Sequence, residues 1–418
     1  MNMIRTAIIL ATAAALGACA ASSQRTTTNC ASASCTRQEP RVLLMRASNL
    51  VRARERVAAR DPALRPAYDA LRHEADQAMT VGPFSVMDKR RTGPSGDKHD
   101  YVSMGPYWWP DSTKPNGLPY IQRDGVVNPE SRLDSDSPPF GRLVDAVETL
   151  ALASYLSGER RYADRATLLL RTWFLDPATR MNPNLDYGQG IPGITPGRGI
   201  GLIDTRDLAR IVDAVGLLGT TDSWTPADQQ GMLAWSRTFL GWLDTSKNGG
   251  EERAAKNNHG VWYDAQAAAL ALFVGDTALA RRTIVESATA RLAAQVAPSG
   301  EQPLETARTR PMHYSLFTLE PYERLAELGR HVGVDLWKYE APNGASIRKA
   351  ALFLAPYADP ARTWPKADVT PVPPDDFIAP MRRAFAAYGD PAIAAAIAKL
   401  PREAVATDRS RLLYPDVP

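Results

Sequence analysis

Apolar residues spaced one helical turn apart, in stretch after stretch, constrain this chain more than any other feature. Between Phe140 and Leu156, the residues Leu143, Val147, Leu150 and Ala151 recur at i, i+4, i+7 and i+8 and so share one helix face. Ser157-Gly158 ends that run, and Tyr162, Ala166, Leu169, Leu170 and Trp173 repeat the pattern before Pro177. The consequence is a pair of antiparallel helices joined by a short turn. Similar pairs are read at residues 205–218 with 226–243 and at 261–274 with 278–296, and further helices near 313–332, 345–354, 377–388 and 391–399. Strand-like alternation is confined to residues 102–104 and 118–121. Helical hairpins of about 50 residues without a sequence repeat predict an all-α fold, an incomplete (α/α) toroid. Two long segments rich in Pro and Gly, residues 81–139 and 181–206, interrupt the hairpins. Loops of that length in a compact domain are uncommon unless functional, so they are expected to cover a central cleft.

The amino terminus has a different character. Residues 1–19 carry Arg5, an apolar run over 7–16 and small residues before Cys19, the three parts of a secretory signal. The apolar run is too short for a spanning helix, which needs roughly 20 residues. Leu16-Gly17-Ala18-Cys19 resembles a bacterial lipobox. That resemblance implies lipid on Cys19 and a protein exported to the periplasm or outer membrane, touching the membrane only through its anchor. The alternative is cleavage as a plain secreted protein. Residues 20–40, rich in Ser, Thr, Ala and Asn, read as a flexible tether. Its Cys30 and Cys35 are either a short-range disulfide or two idle thiols. Residues 41–418 hold no cysteine and are read as a single domain.

The formal net charge is +3, but Arg5, Arg25 and Arg37 precede residue 39 and no acid does, so the body is neutral. A neutral body lacks the global field that attracts nucleic acid, and any polyanion must be recognised locally. Conventional site signatures are missing as well. The five histidines (His73, His99, His259, His313, His331) form no metal-binding spacing. The glycines from Gly188 to Gly201 lack a GK[ST] ending, and no GxSxG occurs.

Three clusters stand out instead. The first is Lys256-Asn257-Asn258-His259-Gly260-Val261-Trp262-Tyr263-Asp264, a poor helix opening unless its side chains cap the helix or bind something. The second, Glu305 to Tyr314, gathers Arg308, Arg310, His313 and Tyr314 before a helix. The third places Tyr101, Tyr107, Trp108 and Trp109 in a Pro/Gly loop, where flat rings with polar edges suit sugar faces or a protein partner.

Asn257-Asn258-His259-Gly260-Val261-Trp262-Tyr263 is similar to the Asn-Asn-His-x-x-Trp signature of the alginate lyase superfamily of α/α-toroid polysaccharide lyases. The Arg-rich segment ending in Tyr314, the loop from Ser103 to Asp111, Gly117-Leu118-Pro119-Tyr120-Ile121 and the segment from Arg198 to Thr205 also resemble bacterial members. These pieces extend over roughly residues 85–330. The resemblance implies β-elimination of an acidic polysaccharide, alginate or a related polyuronate, with no nucleotide or redox cofactor; no metal ligand is assigned, and a metal held by residues distant in sequence stays open. It places Asn258 beside the substrate carboxylate, with Arg308 as the neutralising cation and Arg310 in reserve.

Tyr314 is then expected to protonate the leaving oxygen. Either Tyr314 or His259 takes the C5 proton, depending on which face of the ring carries it. Arg308 or a hydrogen bond from His259 is expected to favour the phenolate of Tyr314. His313 is read as peripheral. Tyr101, Tyr107, Trp108, Trp109, Asn257, Trp262 and Arg310 are assigned to substrate binding, together with Arg198 and Arg206 as carboxylate partners. Other readings are a glucuronan lyase, a non-catalytic surface glycan-binding protein, and a glycoside hydrolase recruiting Glu251, Glu252 and Glu305.

Overall fold

Burial decides the arrangement of the helices. In the helix Asn258–Val274 every residue from Gly260 to Ala271 is buried, and a helix enclosed on all sides must lie inside the fold. The computed structural model describes residues 39–418, so the signal, most of the tether, Cys19, Cys30 and Cys35 lie outside the described residues. Four helices, Ser137–Ser157, Leu208–Leu218, Asn258–Val274 and Pro311–Gly329, pack each against the next in chain order and form an inner layer. Outside them lie Arg160–Leu170, Pro226–Thr245, Thr277–Glu286 and Ile347–Leu354, with their apolar stripes turned inward. Arg160–Leu170, for example, buries Tyr162, Ala163, Ala166, Leu169 and Leu170. This is the expected all-α toroid of hairpins, left open.

Two apolar clusters fill it, and Asn258–Val274 belongs to both. Tyr263, Ala267 and Leu270 face one cluster, while Val261, Ala265 and Ala268 face the other. Gly260 lies where its turn approaches a neighbour, because a Cβ there would overlap the Ala255 carbonyl and the Arg291 guanidinium.

Two helices absent from the sequence reading, Ala47–Ala58 and Arg65–Ala78, come first in the described chain. The segment before them is pinned by Asp213 of the inner layer, whose carboxylate accepts from the backbone N–H groups of Leu43, Leu44 and Met45.

The two long loops are not independent flaps. Val102–Met104 pairs in parallel with Tyr187–Gly190, joining one loop to the other. Trp108–Trp109 pairs antiparallel with Ile121–Gln122, a register slightly beyond the strand expected at 118–121. The first loop is fastened below by a buried ion pair, Lys89 Nζ to Asp136 at 3.0 Å, just ahead of the helix Ser137–Ser157. Asp136 also accepts from the Val102 N–H at 2.8 Å, so this acid anchors the first strand directly. Burial raises its carboxyl to about 6 even beside the ammonium.

Removing one partner of a buried pair strands the other charge, which costs about 3–5 kcal/mol. Lys89→Met is therefore expected to destabilise the fold by that order, measured by urea unfolding. An unchanged midpoint would show that Asp136 holds the loop without its cation.

Candidate active site

The start of the helix Asn258–Val274, the approach to Pro311–Gly329 and both long loops converge on a cleft of ≈ 580 Å³. Asn257 caps the first helix, accepting from the His259 N–H, and this puts Asn258 and His259 in its first turn. A polar helix opening is thus both a cap and a delivery of side chains to the cleft. Asn257, Asn258, His259, Arg308 and Tyr314 all line it.

Each of the central groups is held by an acid. The Asn258 backbone N–H donates to Glu305 Oε1 at 2.8 Å and its Nδ2 donates to Oε2 at 2.9 Å. Asn258 Oδ1 is buried and has no hydrogen-bond partner among the described residues. His259 Nδ1 lies 2.7 Å from Glu252 Oε1. A carboxylate can only accept, so Nδ1 carries a proton, and in the neutral ring that tautomer puts the lone pair on Nε2. Arg308 places Nε and Nη2 on the two oxygens of Asp124, at 3.1 and 2.7 Å, leaving Nη1 uncommitted. The same guanidinium sits 3.9 Å over the Tyr314 ring.

Tyr314 Oη is 2.8 Å from Tyr107 Oη. Burial pushes the Tyr314 phenol well above its ordinary value, the Tyr107 hydrogen bond adds to this, and Arg308 opposes both without prevailing. Tyr314 is therefore a neutral phenol, and the expected phenolate is corrected. No hydrogen bond joins it to His259. His313, read as peripheral, lines the cleft and stacks on Phe317 with ring centroids 5.9 Å apart. Burial, aided by Arg310, Arg206 and Arg308, lowers it to about 4, so it is neutral.

The remaining residues divide. Tyr107, Trp108, Arg198 and Arg206 line the cleft. Tyr101 does not, being wholly buried with its hydroxyl donating to Asp204 and its ring edge-on to Phe140. Trp262 is likewise core, lying between the guanidiniums of Arg206 and Arg324 and against Phe317. Trp109 turns aside to donate to the Val126 carbonyl under Arg123. Arg310 is not among the lining residues. The braces Asp124, Gln189, Asp204, Glu252 and Glu305 carried no role as positioning groups in the sequence. Among the described residues no group of three or more His, Cys, Asp or Glu side chains is placed to hold a metal ion.

With this geometry in hand, the relatives can be compared. A family model described as alginate lyase matches residues 85–364. The chain belongs to the alginate lyase family. A crystal structure of an alginate lyase from Bacteroides ovatus is similar to this chain at 40% identity with a TM-score of 0.85, covering 90% of this chain and 99% of that one. Alginate lyase A1-III from Sphingomonas species A1 shares 16% identity with a TM-score of 0.51, covering 84% of this chain and 96% of its own, which is likeness of fold alone. A variant of that enzyme complexed with tetrasaccharide superposes with a TM-score of 0.52 at the same identity and coverage. No curated protein matches the chain in sequence. By family this lyase is a polysaccharide lyase.

The Glu305 brace gives a direct test. Glu305→Gln keeps the volume but places an amide N–H against an Asn258 N–H, so Asn258 must turn. Misplacement of about 1 Å costs up to about 100-fold in rate. The lyase is expected to lose kcat on that scale with unchanged thermal stability, and retention of full kcat would show that Asn258 needs no such brace.

Proposed function

We propose that this protein cleaves alginate or a closely related polyuronate by β-elimination. The observation that carries the reading is that Asn258, His259, Arg308 and Tyr314, from two separate sequence clusters, line one cleft. Abstracting the C5 proton of a uronate builds a second negative charge beside an existing carboxylate, so donors aimed at that carboxylate lower the barrier. The free N–H of Asn258 Nδ2 and Arg308 Nη1 supply them.

His259 Nε2 takes the C5 proton. Glu252 holds the ring in the required tautomer and stabilises the imidazolium that forms. Tyr314, kept protonated by burial, gives its proton to the departing glycosidic oxygen. Two different groups suit a proton and a leaving group on opposite faces of the ring. Elimination on one face asks Tyr314 to do both, against its raised pKa. Glucuronan is the alternative polymer, since it differs from mannuronan in one hydroxyl orientation. Glycoside hydrolysis by Glu251, Glu252 and Glu305 finds no support: Glu251 accepts from the Gly199 N–H, and the other two brace His259 and Asn258. Export through residues 1–19, with lipid on Cys19, belongs to the same reading.

Incubation with alginate blocks and glucuronan is expected to release unsaturated uronates, seen as new ultraviolet absorbance and in the product masses. Tyr314→Phe is expected to remove about 10²–10⁴-fold of the rate while the fold persists. His259→Ala is expected to harm an opposite-face substrate such as polyguluronate more than a same-face one such as polymannuronate. Because the acid must be protonated and its pKa is raised, ionisation of Tyr314 is expected to leave the rate untouched up to the ordinary phenol pKa of about 10. A Tyr314→Phe variant with most of its activity, or an alkaline loss below that pH traced to Tyr314, would refute the acid assignment.

A further inference from the structure

Three guanidiniums line the cleft, and their partners set them apart. Arg308 is held by Asp124. Arg206 lies 3.4 Å from Asp207, donates to the Ile203 carbonyl and rests against the Trp262 and Phe317 rings. Arg198 has no carboxylate partner among the described residues. Its Nε and Nη2 donate to the backbone and side-chain oxygens of Gln189, at 3.1 and 3.0 Å, and Nη1 has no hydrogen-bond partner among the described residues.

The brace behind Arg198 is a built one. Gln189 is a non-glycine residue in the left-handed region, at φ 47°, which surrounding structure must enforce. Its backbone N–H donates to Ser103 Oγ at 2.7 Å and its Nε2 to Asp204 at 3.0 Å. Asp204, half-buried at the cleft wall, also accepts from Ser103 and Tyr101. Every polar atom that faces Arg198 from this network is thus fixed before a ligand arrives. The guanidinium lies 5.7 Å from the Trp108 ring, and a Cβ on Gly105 would overlap both, so the glycine permits their approach. Trp108 follows Tyr107, which bonds the acid Tyr314.

We propose that Trp108 and Arg198 form a subsite for a second carboxylated sugar beside the one undergoing elimination, the ring on the indole and the carboxylate on Nη1. The lyase then selects runs of consecutive uronates over polymers in which uronates alternate with neutral sugars. Arg198 is partly desolvated, and burial lowers its pKa against the pull of Asp204 and Glu252; neither acid forms an ion pair with it, so an incoming carboxylate can be the first to do so. This subsite presupposes the polyuronate reading above.

Binding and turnover test it separately. In the Tyr314→Phe chain, calorimetry with tetramannuronate is expected to show affinity falling at least about tenfold on adding Arg198→Gln, and only partial recovery with Arg198→Lys, which lacks the planar fork. The carboxyl-reduced, neutral tetramer is expected to be indifferent to both changes, and equal thermal midpoints show that the fold survives. In the otherwise unaltered chain, Arg198→Gln is expected to raise KM on polyuronate at least about tenfold while kcat falls less than about threefold, with a shallower salt dependence of KM. Unchanged affinity, a loss confined to kcat, or equal turnover of an alternating uronate–hexosamine polymer would overturn the subsite. Arg198-dependent binding without any ultraviolet-absorbing product would refute the lyase reading alone. Product formed with Arg198-independent binding would refute the subsite alone.

Discussion

Four carboxylates hold the working side chains of this cleft in place, and the site depends on them. Glu305 grips Asn258 through two hydrogen bonds, Glu252 fixes the His259 ring, Asp124 forks onto Arg308, and Asp204 secures Arg198 through Gln189. A carboxylate removed from water is costly unless hydrogen-bonded donors surround it. That cost makes each brace specific, because the acid keeps its place only while the functional side chain keeps its own. The Glu305 and Asp204 carboxyls are both raised by burial, against the donors they accept from.

The braces also explain how loops so poor in regular structure can form walls. Residues near 101–128 and 187–206 contribute only short strands and the 3-10 turns of Gly199–Thr205. They are fastened at points where one acid collects several donors. Asp136 takes the Val102 amide and Lys89, and Asp204 takes two hydroxyls and an amide. At the far side, Asp124 joins the first loop to Arg308 and Thr309. The wall carrying Tyr107 and Trp108 is therefore tied to the second loop at one margin and to the approach to Pro311–Gly329 at the other.

Periodicity made the helices legible, because a toroid's inner and outer helices must each present apolar residues at helical spacing. The first two helices escaped notice for the same reason. Ala47–Ala58 buries only Leu50 and Ala53, and Arg65–Ala78 buries three alanines and Leu71, stripes too thin to stand out. In the site, Asn258 and His259 announced themselves by spoiling a helix start, a local signal. Their braces gave none: Glu305 is 47 residues from Asn258 and Asp124 is 184 from Arg308, and an acid in sequence looks like any solvated charge. Tyr101 was misplaced because composition marks an aromatic cluster but not which rings turn inward, and Trp262 because a signature does not say whether its tryptophan packs or binds. The Arg198 brace lay hidden in a left-handed glutamine, a conformation no residue type announces.

Tyr314 shows why burial and a neighbouring cation are not in conflict. Before reaction, burial and Tyr107 keep the phenol neutral, although Arg308 lies across its ring. A neutral ring gains from that cation only through its quadrupole, whereas a ring losing its proton gains a full charge interaction in a poorly hydrated place. In the mechanism proposed above, Arg308 thus favours the state formed as the proton leaves far more than the state before it, and only interactions that strengthen on the way to the transition state accelerate a reaction. Asp124 bears on the same balance. By engaging Nε and Nη2 it holds the guanidinium against the ring and leaves Nη1 outside the ion pair. One arginine can then serve two negative charges in turn, the substrate carboxylate through Nη1 and the nascent phenolate through its face.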